Sequence, residues 1–588
     1  MQKLIACSFL SVILCIPNLI LGFHSKFHRS QAMRQLSGLA NGPGASHDWP
    51  TYGGTIDNQR YSALSQINRR NVRVLSVAWA FQVGFSIPAT SFECTPIVVN
   101  GVMYVTSPLG DVFALRADTG ERLWKFDPKV NLDTTTKLCC GVINRGVAVG
   151  GGKVYLATLD ARLIALDEKT GQPIASFGDS GIVQIAGHKD GYSETSPPIF
   201  HQGMLLIGAA GGEYQTRGFF SAYDAETGKL IWRWHTIPAP GESGGSTWPD
   251  TGIYKVGGGS VWMPPAVDLQ RGLVIFGTGN PNPDFDGKAR AGDNLYTCSI
   301  VALDVTTGKM RWYFQQVKHD LWDYDQAAPP VLFDVYRNGK RIPAVGAAGK
   351  TGWFYILDRA TGKSLIPTYE KEVPQNPAQA TARTQTFLTT PPFSEHSNIF
   401  GVLDTQGALM APGINGGSEW SPLSYSPRTG LAYIMAVEQP MLFITDSARK
   451  VPFEMTLGGD TLSPPKQMPT GAFVAVDVNT GLVRWRVATT PFPEGGTLAT
   501  AGDILFAGQS DGLFIALDAE TGKRLWQFQC GAGVNAPPVT YEVNGRQYVA
   551  VAAGGNSKER DLTGLAGERF FQNGGTIFVF TLPGLKSR

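Results

Sequence analysis

Short apolar runs separated by polar turns alternate along almost the whole chain, and one unit of that pattern returns seven times. An apolar strand enters a turn of the form Asp-x-x-Thr-Gly, and a second strand follows, often ending in Trp. The copies read ALRADTGERLW to Trp124, ALDEKTGQPIASF from Ala165, AYDAETGKLIW to Trp232 and ALDVTTGKMRW to Trp312. They continue as ILDRATGKSL from Ile356, AVDVNTGLVRW to Trp485 and ALDAETGKRLW to Trp526. The Gly suits a turn position with positive φ, and the Asp side chain can accept from the turn's own backbone. Most copies follow another strand pair, such as PIVVNGVMYVTSPLGDVFAL (96–115) and AVGGGKVYLATLDARLIAL (148–166), with hairpin turns at Asn100-Gly101 and Gly151-Gly152. Each repeat is therefore a small four-stranded antiparallel sheet.

A sheet of this size cannot bury both faces alone. The pattern predicts an all-β protein whose sheets pack radially as the blades of a β-propeller, with the repeated Trp docked between neighbours. A straight stack of sheets is the rival arrangement. Ring closure is favoured because GGTIFVFTLPG (574–584) is able to complete a blade begun near the N-terminus. The motif glycines, Gly120, Gly171, Gly228, Gly308, Gly362, Gly481 and Gly522, are unevenly spaced, so the long gaps hold insertions or a degenerate copy. SYSPRTGLAYIMAV, from Ser424, reads as that copy and brings the expected number of blades to eight. The Pro-, Thr- and Gln-rich stretch 367–417 reads as a long loop over one face.

At the N-terminus Lys3 precedes an apolar run to Phe23. Residues 1–25 have the order of a secretory signal peptide, with an uncleaved anchor as the rival, so the body (45–588, one propeller domain) is expected outside the cytoplasm, in the periplasm. The 588 residues would suggest several domains, but repeats build one unit from a chain this long. A net charge of +2 and the lack of a dense basic run exclude a nucleic-acid partner. Of seven cysteines, Cys7 and Cys15 belong to the leader, and no Cys-x-x-Cys-His occurs to attach a c-type haem. Cys139 and Cys140 are adjacent. Neighbouring Cα atoms lie about 3.8 Å apart, closer than a disulfide prefers, so spacing alone favours two thiols over a strained bridge.

Candidate chemistry gathers in 277–325, which joins Gly279-Asn280-Pro281, a repeat unit, and Asp320, Asp323 and Asp325. In an extended chain Asp323 and Asp325 face the same side. Two such carboxylates repel unless a shared proton or a hard cation relieves them, and the Asn280 amide oxygen would join such a cation's ligands. On local spacing alone, a solvated acidic loop is the better reading.

The whole set resembles the quinoprotein alcohol dehydrogenases, which use pyrroloquinoline quinone (PQQ) on an eight-bladed propeller. The resemblance covers Asp48 to Leu585 and rests on the repeat, CCGVINRG (139–146), GGEYQTRGFFSAYD (211–224), GTGNPNP, GDNLYT and HDLWDYD. It implies that Glu213, Asn280 and Asp323 hold a metal ion beside the quinone, with Asp323 also the catalytic base. It implies that Trp262 stacks on the PQQ ring and that Cys139 and Cys140 form an adjacent disulfide over its other face. Glu93, Arg145, Thr195, Gly212, Ser260 and Lys350 match positions that contact the quinone's carboxylates and carbonyls. The implied partners are an alcohol substrate and an external cytochrome c, while oligomeric state, a homodimer included, stays open.

Three positions depart from the family pattern. Lys350 stands where many members have Arg and, with HDLWDYD, is similar to the glucose-type quinoproteins. Glu419 stands where an Asn touches PQQ, and an extra carboxylate near an anionic cofactor is hard to explain. Asp325 matches the lanthanide-type relatives, in which an added carboxylate suits a trivalent ion better than calcium. Calcium is the alternative, and a polyol or sugar is the alternative to a simple alcohol as substrate. Two other classes are weaker. Propeller scaffolds that bind peptides lack the paired cysteines and the acidic cluster. The Gly-rich runs GAAGGE and KVGGGS do not open helices of a dinucleotide fold.

Overall fold

The computed structural model describes residues 47–85, 91–131, 138–139, 141–187, 190–446, 455–464, 469–489, 493–555 and 574–584. The expected signal or anchor segment, 1–25, lies outside them, as does Cys140.

The described chain is all-β, with helix confined to 3-10 turns such as Gly212–Tyr214 and Pro377–Gln379. Sheet one is Ile97–Val99, Val102–Thr106, Val112–Arg116 and Arg122–Phe126, paired antiparallel in that order. Three four-stranded sheets of the same order begin at Val147, Ile199 and Ala266, and sheet five has three strands, beginning at Val331. Sheet six is Ser424–Ser426, Leu431–Glu438, Thr470–Asp477 and Val483–Thr489. Sheet seven begins at Thr497 and takes a short parallel strand, Tyr61–Ser62, on its first edge. Sheet eight pairs Ser76–Gln82 with the last three strands, Val539–Val543, Arg546–Ala553 and Thr576–Thr581.

The turns form as the sequence chemistry requires. Asp304 Oδ1 accepts from the backbone N–H groups of Thr306 and Thr307 and from the Thr307 hydroxyl, and the same pattern repeats at Asp167, Asp224, Asp358 and Asp518. The first copy carries Arg116 at this position and keeps only the backbone part of the turn, Gly120 N–H to the Arg116 carbonyl. Asn100 and Gly101 both have positive φ, 52° and 78°, as a tight hairpin needs.

Two expectations are corrected. SYSPRTGLAYIMAV supplies the first two strands of the sixth motif's own sheet, not a separate degenerate sheet. The eighth sheet has no motif at all, because the N-terminal strand closes it. The stretch 367–417 is more than loop: Thr368–Glu372 pairs with Thr384–Leu388, and Ala408–Met410 edges a small sheet with Met441–Thr445 and Gly459–Leu462.

The motif Trp residues dock from one sheet to the next. Trp124 Nε1 donates to the Glu168 carbonyl at 3.1 Å, Trp232 to Val305 at 3.1 Å, Trp312 to Arg359 at 3.0 Å and Trp485 to Ala519 at 3.2 Å. Trp526 of sheet seven reaches Leu75, just before the N-terminal strand of sheet eight, at 3.1 Å. Trp79 on that strand reaches Ala117 of sheet one at 3.3 Å. All of these indoles but Trp526 lie over the next motif's glycine. At Gly308 a Cβ would sit 2.6 Å from the Trp232 ring, and at Gly362 2.5 Å from Trp312.

A second set of ties runs from the segment before Ser62. The Ile56 and Asp57 carbonyls accept from Val267 and Leu332, and the Gln59 and Arg60 carbonyls accept from Tyr425 and Ala499. Arg60, fully buried, donates to the Tyr52, Thr497 and Pro538 carbonyls at 2.5, 3.1 and 2.7 Å. One short segment thus bonds at or beside the first strands of sheets four to eight.

Replacing Trp526 with Ala should lower the urea-unfolding stability by about 3–5 kcal/mol through the cavity it leaves. Trp526→Phe, which keeps an aromatic ring but loses the bond to Leu75, should cost about 1 kcal/mol. Equal losses for the two variants would show that docking by the indole ring is not what joins sheets seven and eight.

Candidate active site

A cavity of about 310 Å³ is built from segments that lead into successive sheets. Glu93, Arg145, Thr195, Trp262, Asp325 and Trp420 all line it, each two to six residues upstream of a sheet's first strand. Proline precedes or opens most of these strands, as in Thr95-Pro96, Ser196-Pro197, Met263-Pro264 and Ser421-Pro422. Proline is tolerated where a strand begins and holds the residue before it extended, which fixes how the chain enters each strand. Trp262 and Trp420 occupy the same place, two residues before Pro264 and Pro422.

One half of the cavity is cationic and aromatic. Arg145 Nη2 lies 2.8 Å from Glu93 Oε2, with both side chains buried, and Nη1 donates to Thr195 Oγ1 at 2.9 Å. The guanidinium carbon is 5.3 Å from the Trp262 ring centre and 4.8 Å from that of Trp420. A planar cation against two indoles, beside a cavity, suits a flat anionic ligand.

The other half is acidic. Lys350 Nζ lies 2.9 Å from Asp323 Oδ2 and 2.9 Å from Asp325 Oδ1, and Trp262 Nε1 donates to Asp325 Oδ2 at 3.0 Å. The two carboxylates do converge, but not because the chain is extended: Asp323 has φ +59°, and Lys350 draws both to one point. Burial opposes the Lys350 charge, and Asp323, Asp325 and Glu419 overcome it, holding the amine charged well past its ordinary range. Burial pushes the Asp323 carboxyl well up despite Lys350, and Asp325 adds to the rise. Asp284 is raised likewise, by burial first and then by the charges of Asp323 and Glu213.

Six carboxylates line the cavity, Glu93, Glu213, Asp284, Asp323, Asp325 and Glu419, against Arg145 and Lys350. This donor set fits a hard cation. Asp284 is set apart within it, because its buried Oδ1 accepts no hydrogen bond. Among the described residues no three His, Cys, Asp or Glu side chains already stand close enough to hold a metal ion, and Lys350 lies between Asp323 and Asp325.

Of the residues expected from the sequence, Glu93, Cys139, Arg145, Thr195, Glu213, Ser260, Trp262, Asp323, Asp325 and Lys350 share this cavity. Gly212 and Asn280 do not line it. Gly212 packs against Ser260, where a Cβ would sit 3.2 Å from Oγ, and the Asn280 carbonyl accepts from Gly259 at 2.9 Å. The expected Cys139–Cys140 bridge falls outside the described residues. Asp284, Trp420, Met455 and Leu457 line the cavity unforeseen. The Trp-x-Pro step shared with Trp262 was the available signal for Trp420.

The family model described as the PQQ glucose/ethanol/alcohol dehydrogenase β-propeller domain matches residues 49–400 and 394–549. The chain belongs to this family. It is 36% identical to the quinohemoprotein alcohol dehydrogenase of Comamonas testosteroni, over 91% of this chain and 76% of that protein. It is 34% identical to the quinoprotein alcohol dehydrogenase PedH of Pseudomonas putida, over 91% of each. A europium-containing methanol dehydrogenase superposes with a TM-score of 0.79 at 29% identity, covering 93% of this chain and all of the other. In this PQQ family, then, the chain brings most of its expected cofactor and metal contacts to one cavity.

Lys350→Met would leave Asp323 and Asp325 without their counter-ion. In the presence of a chelator the variant should lose about 3–5 kcal/mol of stability in urea unfolding, and added Ca²⁺ or La³⁺ should recover part of it. A loss of the same size with and without metal would show that these carboxylates take no cation.

Proposed function

We propose that the chain is a PQQ-dependent dehydrogenase that oxidises an alcohol to an aldehyde, with Asp323 as general base. The observation that carries this is the pairing of Asp323 and Asp325 about Lys350 in the cavity where Arg145 lies against two indoles. Arg145 and Lys350 would offset the charge of the anionic quinone, Trp262 would stack on its ring, and Glu93, Thr195, Gly212 and Ser260 would complete its contacts. A disulfide between Cys139 and Cys140 would cover the other face. Glu213, Asp323 and Asp325, which line the cavity, would hold the metal ion, and Asn280, which does not line it, would join them only by turning its side chain inward. When bound, PQQ and its metal supply the hydride acceptor. Asp323 would take the substrate's hydroxyl proton on a carboxylate oxygen, and Lys350, 2.9 Å away, opposes the burial that would keep that carboxyl neutral.

The metal is proposed to be a lanthanide(III), with Ca²⁺ as the alternative. The excess of carboxylates over cations in the cavity supports a trivalent ion, and so does the likeness to the europium-containing enzyme. The electrons are proposed to leave to an external cytochrome c-type acceptor, which the likeness to a 1-butanol dehydrogenase (cytochrome c) of Thauera butanivorans, 33% identical over 92% of this chain, supports. The N-terminal apolar run supports export to the periplasm. A closed propeller of eight blades is the architecture proposed, supported by the eight sheets and by Trp contacts that pass from sheet seven through eight to sheet one.

Apoprotein should be given PQQ with lanthanum or with calcium and assayed with a dye acceptor on primary alcohols, polyols and aldose sugars. Alcohol oxidation with lanthanum is expected. Activity with calcium alone would remove Asp325 from the metal's ligands, and no PQQ binding with either ion would sink the enzymatic reading. Asp323→Asn should lower kcat about 100-fold or more while PQQ still binds.

A further inference from the structure

Asp284 stands apart from the other carboxylates of the cavity. Asp323 and Asp325 share Lys350, and Glu93 has Arg145, whereas no donor among the described residues reaches the Asp284 carboxylate, and its Oδ1 is fully buried. The residue is 2% exposed and lines the cavity. Asp323, the proposed base, lines the same cavity, and its charge is the one that weighs most on Asp284. Its position is rigid. Arg290, itself fully buried, donates to the Pro283 carbonyl at 3.1 and 2.8 Å and to the Asp320 carbonyl at 2.6 Å, clamping the two loops together. On its other side Phe285 N–H donates to Leu457 at 2.8 Å, which sets Asp284 beside the apolar wall of Met455 and Leu457.

A buried carboxylate with no donor costs stability, and a ligand that supplies the donor recovers it. A site built to pair with a hydroxyl also discriminates against an analogue that lacks it. We propose that Asp284 is the specificity-determining residue of this cavity and accepts a hydrogen bond from a second hydroxyl of the substrate, so that the enzyme prefers diols and polyols to plain alkanols. The first hydroxyl goes to Asp323 and the second to Asp284, with the carbon chain against Met455 and Leu457. This rests on the dehydrogenase reading above.

The test compares 1,2-propanediol with 1-propanol in wild type, Asp284→Leu and the near-isosteric Asp284→Asn, each loaded with PQQ and metal. The diol-to-propanol ratio of kcat/KM should fall about tenfold or more in Asp284→Leu, chiefly through KM for the diol, and less in Asp284→Asn, which keeps an acceptor. The same contrast is read without turnover in metal-loaded protein lacking PQQ. There the diol should raise the melting temperature of wild type beyond the effect of 1-propanol, and the difference should vanish in Asp284→Leu. Wild type that oxidises neither alcohol would defeat the dehydrogenase reading, and the melting contrast would still decide Asp284. An unchanged ratio, or a variant whose main defect is weaker binding of La³⁺ in direct titration, would overturn the proposal.

Discussion

The fold hangs on one buried cation, Arg60. Its guanidinium reaches carbonyls of Tyr52, Thr497 and Pro538, and none of these acceptors is a carboxylate. Burial draws its pKa down to about 10, so it stays charged at neutral pH, and each of its three nitrogens donates to a carbonyl. The rings of Trp49 and Tyr52 lie 5.3 and 5.6 Å from its centre and give the charge the rest of its solvation. Thr497 and Pro538 mark the starts of the last two sheets, so one side chain ties the beginning of the domain to its end.

That tie also fixes where chemistry can occur. Residues 56–60 hold first strands of several sheets by backbone bonds, and the segments feeding those strands carry the cavity residues. A side chain two residues ahead of a pinned strand has little freedom, which is what a site assembled from many separate segments requires. The cavity is consequently divided by charge. Arg145 with its indoles makes a flat cationic wall, and Lys350 alone faces the larger group of carboxylates.

The turns and the Trp docking were legible in the sequence because their chemistry is local: an Asp side chain caps its own turn, and the glycine after it leaves room for the neighbouring indole. The eighth sheet was half legible, since 574–584 pointed to closure while no motif marked the other strands. The site was legible where residues stand in motifs, as for Glu213, Trp262 and HDLWDYD. Asp284 was not, because Asn-Pro-Asn-Pro-Asp reads as a turn, and only the fold brings it into the cavity that Asp323 lines. The convergence of Asp323 and Asp325 was foreseen for the wrong reason. An extended chain would bring the two together, yet here a left-handed residue and a lysine from a different loop do so.

Sheet eight pairs Ser76 with Thr581 and so joins strands separated by nearly the whole sequence. A ribosome must release almost the entire polypeptide before that pairing forms, and contacts so distant along the chain are slow to find each other. Earlier sheets are able to form as they emerge, but the edges of sheets one and seven wait for their neighbour. The nascent protein therefore spends its synthesis as a string of unsealed hairpins. Whatever must act on the unfolded polypeptide, a chaperone or a pore, has only until that last pairing to do so.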